Sequence, residues 1–272
     1  MFQSVQEMLS FGFIDRAMIV GILVSLCAAL LGVSLVLKRY SNIGDGLSHV
    51  GYGITTVATA FGLSPLPVAI PGVIVVAIVL LRIGNSKKIK SDSAIALISS
   101  TSLASGVAVT SITTGLNTDV CYFMFGSILA MDMYDVILSI LVSIIVLILF
   151  IIYYRKLFAV TFDEDFGKAI GLKVERYKNL IAILTAVVIV VGMRMMGALL
   201  ISSVVIFPVL TSMRIFKSYK KVVITSGIVS VLSFLMGLYL SYIYNISTGA
   251  TIVLVNLTLF IIFTIINKII ND

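Results

Sequence analysis

Charge is scarce in this sequence. Asp, Glu, Lys and Arg make up 11% of its 272 residues, against about 25% in a soluble domain. Apolar residues make up 60%, and the mean hydropathy is +1.19, which excludes a water-soluble globular chain of ordinary make-up. The two cysteines, Cys27 and Cys121, form neither a CxxC pair nor a metal-spacing pattern, so nothing indicates a disulfide framework or a thiolate cluster. There is one histidine, no activated serine and no pair of catalytic carboxylates, which argues against an enzyme. There is no GxxxxGK[ST] segment, hence no phosphate-cradling loop for ATP. Low-complexity tracts, repeats of 20–50 residues and inverted repeats are also missing.

What the chain has is long apolar runs. Runs of about 20 residues read as membrane helices rather than barrel strands, which would alternate polar and apolar positions. The expected architecture is all-α: a polytopic integral membrane protein, one transmembrane domain over 1–272. Nine spans are predicted at 17–37, 47–63, 68–83, 93–114, 136–154, 180–193, 197–213, 222–244 and 250–266. Eight crossings stay open, because 180–193 and 197–213 are short and 117–135 can dip into the membrane. Residues 1–16 carry Glu7 and Asp15 and lack a basic n-region, so they do not read as a cleaved signal peptide.

The net charge of +7 belongs to the loops rather than to a nucleic-acid surface. With the N-terminus outside, all but Arg16 and Arg194 of the 19 Lys and Arg residues fall on the inner side. The positive-inside rule therefore predicts N-out and C-in.

One stretch stands out, Ser41-Asn42-Ile43-Gly44-Asp45-Gly46-Leu47-Ser48-His49-Val50-Gly51-Tyr52-Gly53. It holds the only histidine, four residues after Asp45, beside a membrane span where ionisable groups are costly. On one helix the two share a face, with about 5–6 Å between their Cβ atoms, and can take a cation between them. Imidazole suits borderline transition ions, and the carboxylate adds charge compensation. The competing reading makes Asp45 a helix N-cap and His49 a packed residue. The flanking glycines fit an interrupted helix or close helix packing.

A second stretch lies on the cytoplasmic side, at about 161–179. Thr161-Phe162-Asp163-Glu164 fits a capping box, Asp163, Glu164 and Asp165 crowd the first turn, and Gly171 is placed to end the helix. The short helix would expose Phe162, Phe166 and Ile170, either to a docking partner or to the bilayer surface. The hydroxyls of the fourth span, including Ser99, Ser100, Thr101, Ser102 and Ser105, can line a path or bond the helix's own backbone. Met193, Met195 and Met196 read as flexible packing rather than a copper(I) site. The outer acids Asp119, Asp132 and Asp135 either attract cations or form a solvated rim.

Several stretches, in order along almost the whole chain, resemble the zinc/manganese/iron-type permeases of ABC transporters. They are Leu35-Val36-Leu37-Lys38-Arg39-Tyr40 followed by Asn42 to His49, then Tyr122-Phe123-Met124-Phe125-Gly126-Ser127-Ile128-Leu129-Ala130 and Phe162 to Leu172. In the C-terminal half, 197–208 and Ser247-Thr248-Gly249-Ala250-Thr251-Ile252-Val253 agree as well.

The resemblance implies the membrane subunit of an ATP-driven importer for a divalent transition metal: manganese, zinc or iron. It implies a homodimeric permease in the bacterial cell membrane with separate ATP-binding subunits and an extracytoplasmic metal-binding protein. It implies that Asp45 and His49 contribute to the metal path, and that the segment carrying Asp163, Glu164, Phe166 and Gly171 couples to the ATPase. No permanently bound cofactor is expected; the metal is cargo. Some zinc-transporting relatives carry a histidine roughly where Ser100 stands, so zinc is less favoured here than harder ions. The alternatives are an ABC permease for a metal chelate or cobalamin-like ligand, and an ion-coupled secondary carrier.

Overall fold

The computed structural model describes residues 12–84, 91–113, 124, 126, 132–198 and 200–271. Lys87, Lys88, Lys90, Asp119, Cys121 and most of the 122–130 motif lie outside the described residues. Within them the chain is helical, with no strand. The helices are α1 (Gly12–Leu37), α2 (Ser41–Ala60), α3 (Pro65–Gly84), α4 (Ser91–Ile112) and α5 (Met133–Phe162). They continue as α6 (Glu164–Ala169), α7 (Val174–Met196), α8 (Ile201–Ile215), α9 (Tyr219–Tyr244) and α10 (Thr248–Asn271). Helices are the open form of backbone that satisfies its own N–H and C=O groups in hydrocarbon. The span hydroxyls follow the same logic: Thr55 and Thr56 donate to the Tyr52 carbonyl, and Thr101 donates to Leu97 and Ile98.

Among the described residues, seven helices are long and apolar enough to cross a membrane: α1, α3, α4, α5, α7, α9 and α10. The count falls short of the expected eight or nine for two different reasons. Helix α2 has 20 residues, but Asp45, His49, its hydroxyls and its glycines dilute its apolar character. Helix α8 is apolar, but its 15 residues reach only about 22 Å, less than the roughly 30 Å hydrocarbon core. Both are sheltered by neighbours: α2 packs on α3, α4, α7 and α8, and α8 packs on α1, α9 and α10.

Helices α1 and α7 form the centre. Helix α1 touches α5, α7, α8 and α9, while α7 touches α2, α3 and α5. Burial follows this arrangement: α7 is mostly buried, whereas α4, at the edge, is mostly exposed. The turn joining α7 to α8 is itself interior. Gly197 adopts φ 88°, a conformation that disfavours any side chain, and Met195, Met196 and Ala198 around it are each 1% exposed.

Contacts order the two ends of the bundle. At one end the Arg194–Asp135 ion pair ties the last turn of α7 to the first turn of α5. Asp135 therefore belongs to a buried pair rather than to a solvated rim, while Asp132 is exposed. At the other end the α1–α2 turn, 38–40, meets α6 and the first turns of α7. The described basic residues gather at this second end, except Arg16 and Arg194.

Candidate functional site: a helix-borne carboxylate–imidazole pair and an ion-locked short helix

Helix α2 starts at Ser41, six residues before the expected start of its span, with Tyr40 as its N-cap residue. Asp45 therefore sits in the second turn and caps nothing, which removes the N-cap reading. The helix is continuous through the glycines, so no break delivers His49 to mid-membrane. His49 is eight residues past Ser41, about 12 Å along an axis of about 30 Å. A simple hairpin thus already carries it near the middle of the helix.

His49 Nε2 lies 3.6 Å from Asp45 Oδ2. That separation is too long for a hydrogen bond but leaves both groups facing one small space. The two differ in exposure: the His49 side chain is 12% exposed and that of Asp45 is 53%. His49 Nδ1 is buried and has no hydrogen-bond partner among the described residues. An imidazole normally has one nitrogen fixed by a second group; here Nδ1 is idle and the other nitrogen faces a carboxylate. Among the described residues no group of three His, Cys, Asp or Glu side chains converges to hold a metal. Asp45 and His49 thus stand as a two-donor pair with no third such side chain beside them among the described residues.

The glycines of α2 set how closely its neighbours approach. A Cβ on Gly53 would lie 2.6 Å from the Ser102 carbonyl oxygen of α4, and one on Gly51 would lie 2.7 Å from the Met193 sulfur of α7. Met193 is thus packed against the helix that carries His49, and the methionine cluster is core packing, as expected. At the start of α2, Asn42 donates to Asp92 of α4 over 3.3 Å. Ser100 is exposed on α4, and Ser105 returns its hydroxyl to its own helix at Ser102. Ser202 of α8 lies beside Gly44, a neighbour of the site that nothing in the sequence pointed to.

The second candidate stretch folds differently from its expected capping box. Helix α5 runs on through Thr161 and Phe162, and Thr161 donates to the Ser34 hydroxyl. The cap of α6 is Asp163, whose Oδ1 accepts from the Asp165 and Phe166 amides at 2.9 and 3.0 Å. Glu164 is thereby released from any capping role. Its Oε1 lies 2.6 Å from Lys38 Nζ and its Oε2 lies 3.2 Å from Lys178 Nζ. The two lysine side chains are 9% and 5% exposed, so Glu164 compensates two nearly buried charges. Partial burial alone raises the Glu164 carboxyl, but the hydrogen bonds and charges of Lys38 and Lys178 outweigh it and hold the group below its ordinary range.

Gly171 ends α6 as the sequence predicts. It has φ 81°; its amide bonds the Lys168 carbonyl, and the Leu172 amide bonds that of Gly167, the paired contacts of a Schellman cap. Phe162, Phe166 and Ile170 are all exposed. Phe162 is the last residue of α5, so the apolar patch spans the α5–α6 corner instead of a single helix face. Sequence reasoning missed Lys38 and Lys178 as partners of Glu164. The available signal was a lysine at the edge of an apolar run, which is buried only when paired.

Comparison with known proteins agrees with this architecture over nearly its whole length. The chain is 30% identical over 258 residues to the manganese import system permease protein ScaB of Streptococcus gordonii, covering 95% of this chain and 92% of that one. It is 27% identical over 252 residues to the high-affinity zinc uptake system membrane protein ZnuB of Haemophilus influenzae, covering 93% and 97%. The solved structure of PsaBC from Streptococcus pneumoniae in complex with Fab superposes with a TM-score of 0.86 at 30% identity, covering 96% of this chain and 94% of that chain. The model of the ABC 3 transport family matches residues 10–267, and the chain belongs to that family.

Proposed function

We propose that this protein is the permease of an ATP-driven importer for a divalent transition metal, with Asp45 and His49 among the groups that pass the ion. The observation that carries the reading is the nearly buried His49 imidazole, with an idle Nδ1 and a carboxylate 3.6 Å from its other nitrogen, on a membrane-embedded helix. Manganese is favoured. The donors of the pair are one carboxylate and one imidazole, a set that suits harder ions than an all-imidazole site. Ser100 stands where some zinc-transporting relatives carry a histidine, and ScaB is named for manganese import. Iron and zinc are the competing cargoes to be separated by experiment.

A second copy of the chain completes the path in this proposal. Two protein ligands fall short of the four or more that transition ions usually take. Asp45 and the Ser100 edge of α4 are exposed, and small and hydroxylated residues such as Ser100, Thr101, Ala104 and Ser105 suit close helix–helix packing. ATP-binding subunits dock on the Phe162, Phe166 and Ile170 corner in the cytoplasm, and an extracytoplasmic metal-binding protein delivers the ion at the opposite end. The basic residues gathered at the α6 end support an N-out, C-in orientation. The protein itself carries no ATPase chemistry in this reading. Metal uptake by Asp45→Ala and His49→Ala variants, with assembly checked by co-purification, tests it; uptake equal to wild type in both removes the pair from the path.

A further inference from the structure

A groove of about 460 Å³ runs between α1 and α9 and is lined by neither Asp45 nor any residue of α6. Leu26 and Leu30 form one wall, and α9 from Val223 to Leu232 forms the other. Gly227 is its floor: a Cβ there would lie 2.9 Å from Leu26 Cδ1, so a larger residue would fill the space. The groove is almost wholly apolar, and Ile224, Ile228 and Leu232 beside it are 50–55% exposed.

Its length and its charged end identify an occupant. The ten residues of helix from Val223 to Leu232 rise about 14 Å, close to half of the roughly 30 Å hydrocarbon core, which is the depth of one leaflet. The groove begins one turn after Lys220. Lys220, Ile224, Gly227, Ile228 and Val231 follow the i, i+4, i+7, i+8, i+11 spacing and so share one face of α9. Lys217 and Lys220 are exposed and make no ion pair among the described residues, and Lys221 lies 5.9 Å from the Phe216 ring. The exposed Lys220 ammonium, one turn from the end of a dry, leaflet-deep slot and close in sequence to Lys217, fits a lipid with an anionic headgroup and an acyl chain. A second copy fits less well: a two-fold axis along the membrane normal keeps each residue at its own depth and would set these lysines against lysines.

We propose that the α1–α9 groove holds an acyl chain of an anionic phospholipid whose phosphate rests on Lys220. The proposal needs only the membrane-spanning fold and is independent of the cargo. The test uses the full chain in nanodiscs of equal parts phosphatidylcholine and phosphatidylglycerol, extracted into detergent, with retained lipid read by native mass spectrometry. The wild type keeps phosphatidylglycerol in preference to phosphatidylcholine. Lys220→Gln, an exposed change that leaves the core intact, lowers that preference about five-fold, the effect of one near-surface lysine. Equal retention of both lipids, retention of neither, or an unchanged preference in Lys220→Gln overturns the proposal. So does efficient cross-linking between Ile228→Cys chains, which would assign the groove to a second copy.

Discussion

Lys38 and Glu164 meet at 2.6 Å across 126 positions of sequence, and the same carboxylate holds Lys178 at 3.2 Å. One acidic side chain on a six-residue helix therefore fastens the end of α1 to the start of α7. Helix α7 in turn packs Met193 against Gly51 of the helix that bears His49. This contact chain runs from the proposed ATPase-docking corner to the proposed metal path.

Replacing Glu164 with Gln should separate ATP hydrolysis from transport. The exposed corner is untouched, so the ATPase still binds and turns over, while metal moved per ATP falls. Lys178 keeps its contact with Glu175 at 3.5 Å but loses the shorter one to Glu164. The stability cost should be about 2 kcal/mol, below the roughly 3–5 kcal/mol of a fully buried pair, because Glu164 is 36% exposed. A wild-type ratio of transport to hydrolysis would show that the ion lock is not part of coupling.

The same group predicts a pH dependence. Its folded carboxyl titrates below the ordinary range, so its stabilisation is fully present above the unfolded value of about 4.3. It is lost only as pH falls through the lowered folded value. Thermal unfolding should therefore show a stability gap between wild type and Glu164→Gln at neutral pH that closes in strong acid. A gap that stays constant into strong acid would mean that the ionised carboxylate is not its source.

Phe166→Asp places a charge in the exposed apolar corner without touching the core. Co-purification with the ATP-binding subunits should drop by at least about ten-fold, the cost of about 1.4 kcal/mol at an interface. Retained binding would locate the docking surface elsewhere.

Gly53 and Gly51 should differ in tolerance. At Gly53 the obstacle to a methyl group is the Ser102 backbone, which cannot swing away, so Gly53→Ala should cost about 1–3 kcal/mol. At Gly51 the obstacle is the Met193 thioether, which can rotate, so Gly51→Ala should cost less than about 1 kcal/mol. Thermal melting of the two variants in one detergent ranks them; the reverse order would contradict the packing described for α2.

The helices were legible because apolar runs and basic turns are written locally. The boundaries that moved did so through distant partners. Helix α7 begins at Val174, six residues before its expected span, because Glu164 neutralises Lys178 and lets the first turns pack. Helix α2 begins at Ser41 because its polar first turn is paired across to Asp92 of α4. The capping box at Thr161 failed because aliphatic α5 continues past it, leaving Asp163 to cap. The spacing of Asp45 and His49 was readable from the sequence. The idle Nδ1, the unequal exposure of the pair and the nearness of Ser202 arise from how α4, α7 and α8 surround α2, and no local pattern encodes them.

The central claim is that Asp45 and His49 handle the transported ion. Its most direct test is uptake of radioactive manganese by cells whose only copy of this permease is wild type, Asp45→Ala or His49→Ala, with membrane levels and ATPase association matched. The account predicts that each substitution lowers uptake by about 10-fold or more while assembly is kept. Wild-type uptake in either correctly assembled variant would contradict it.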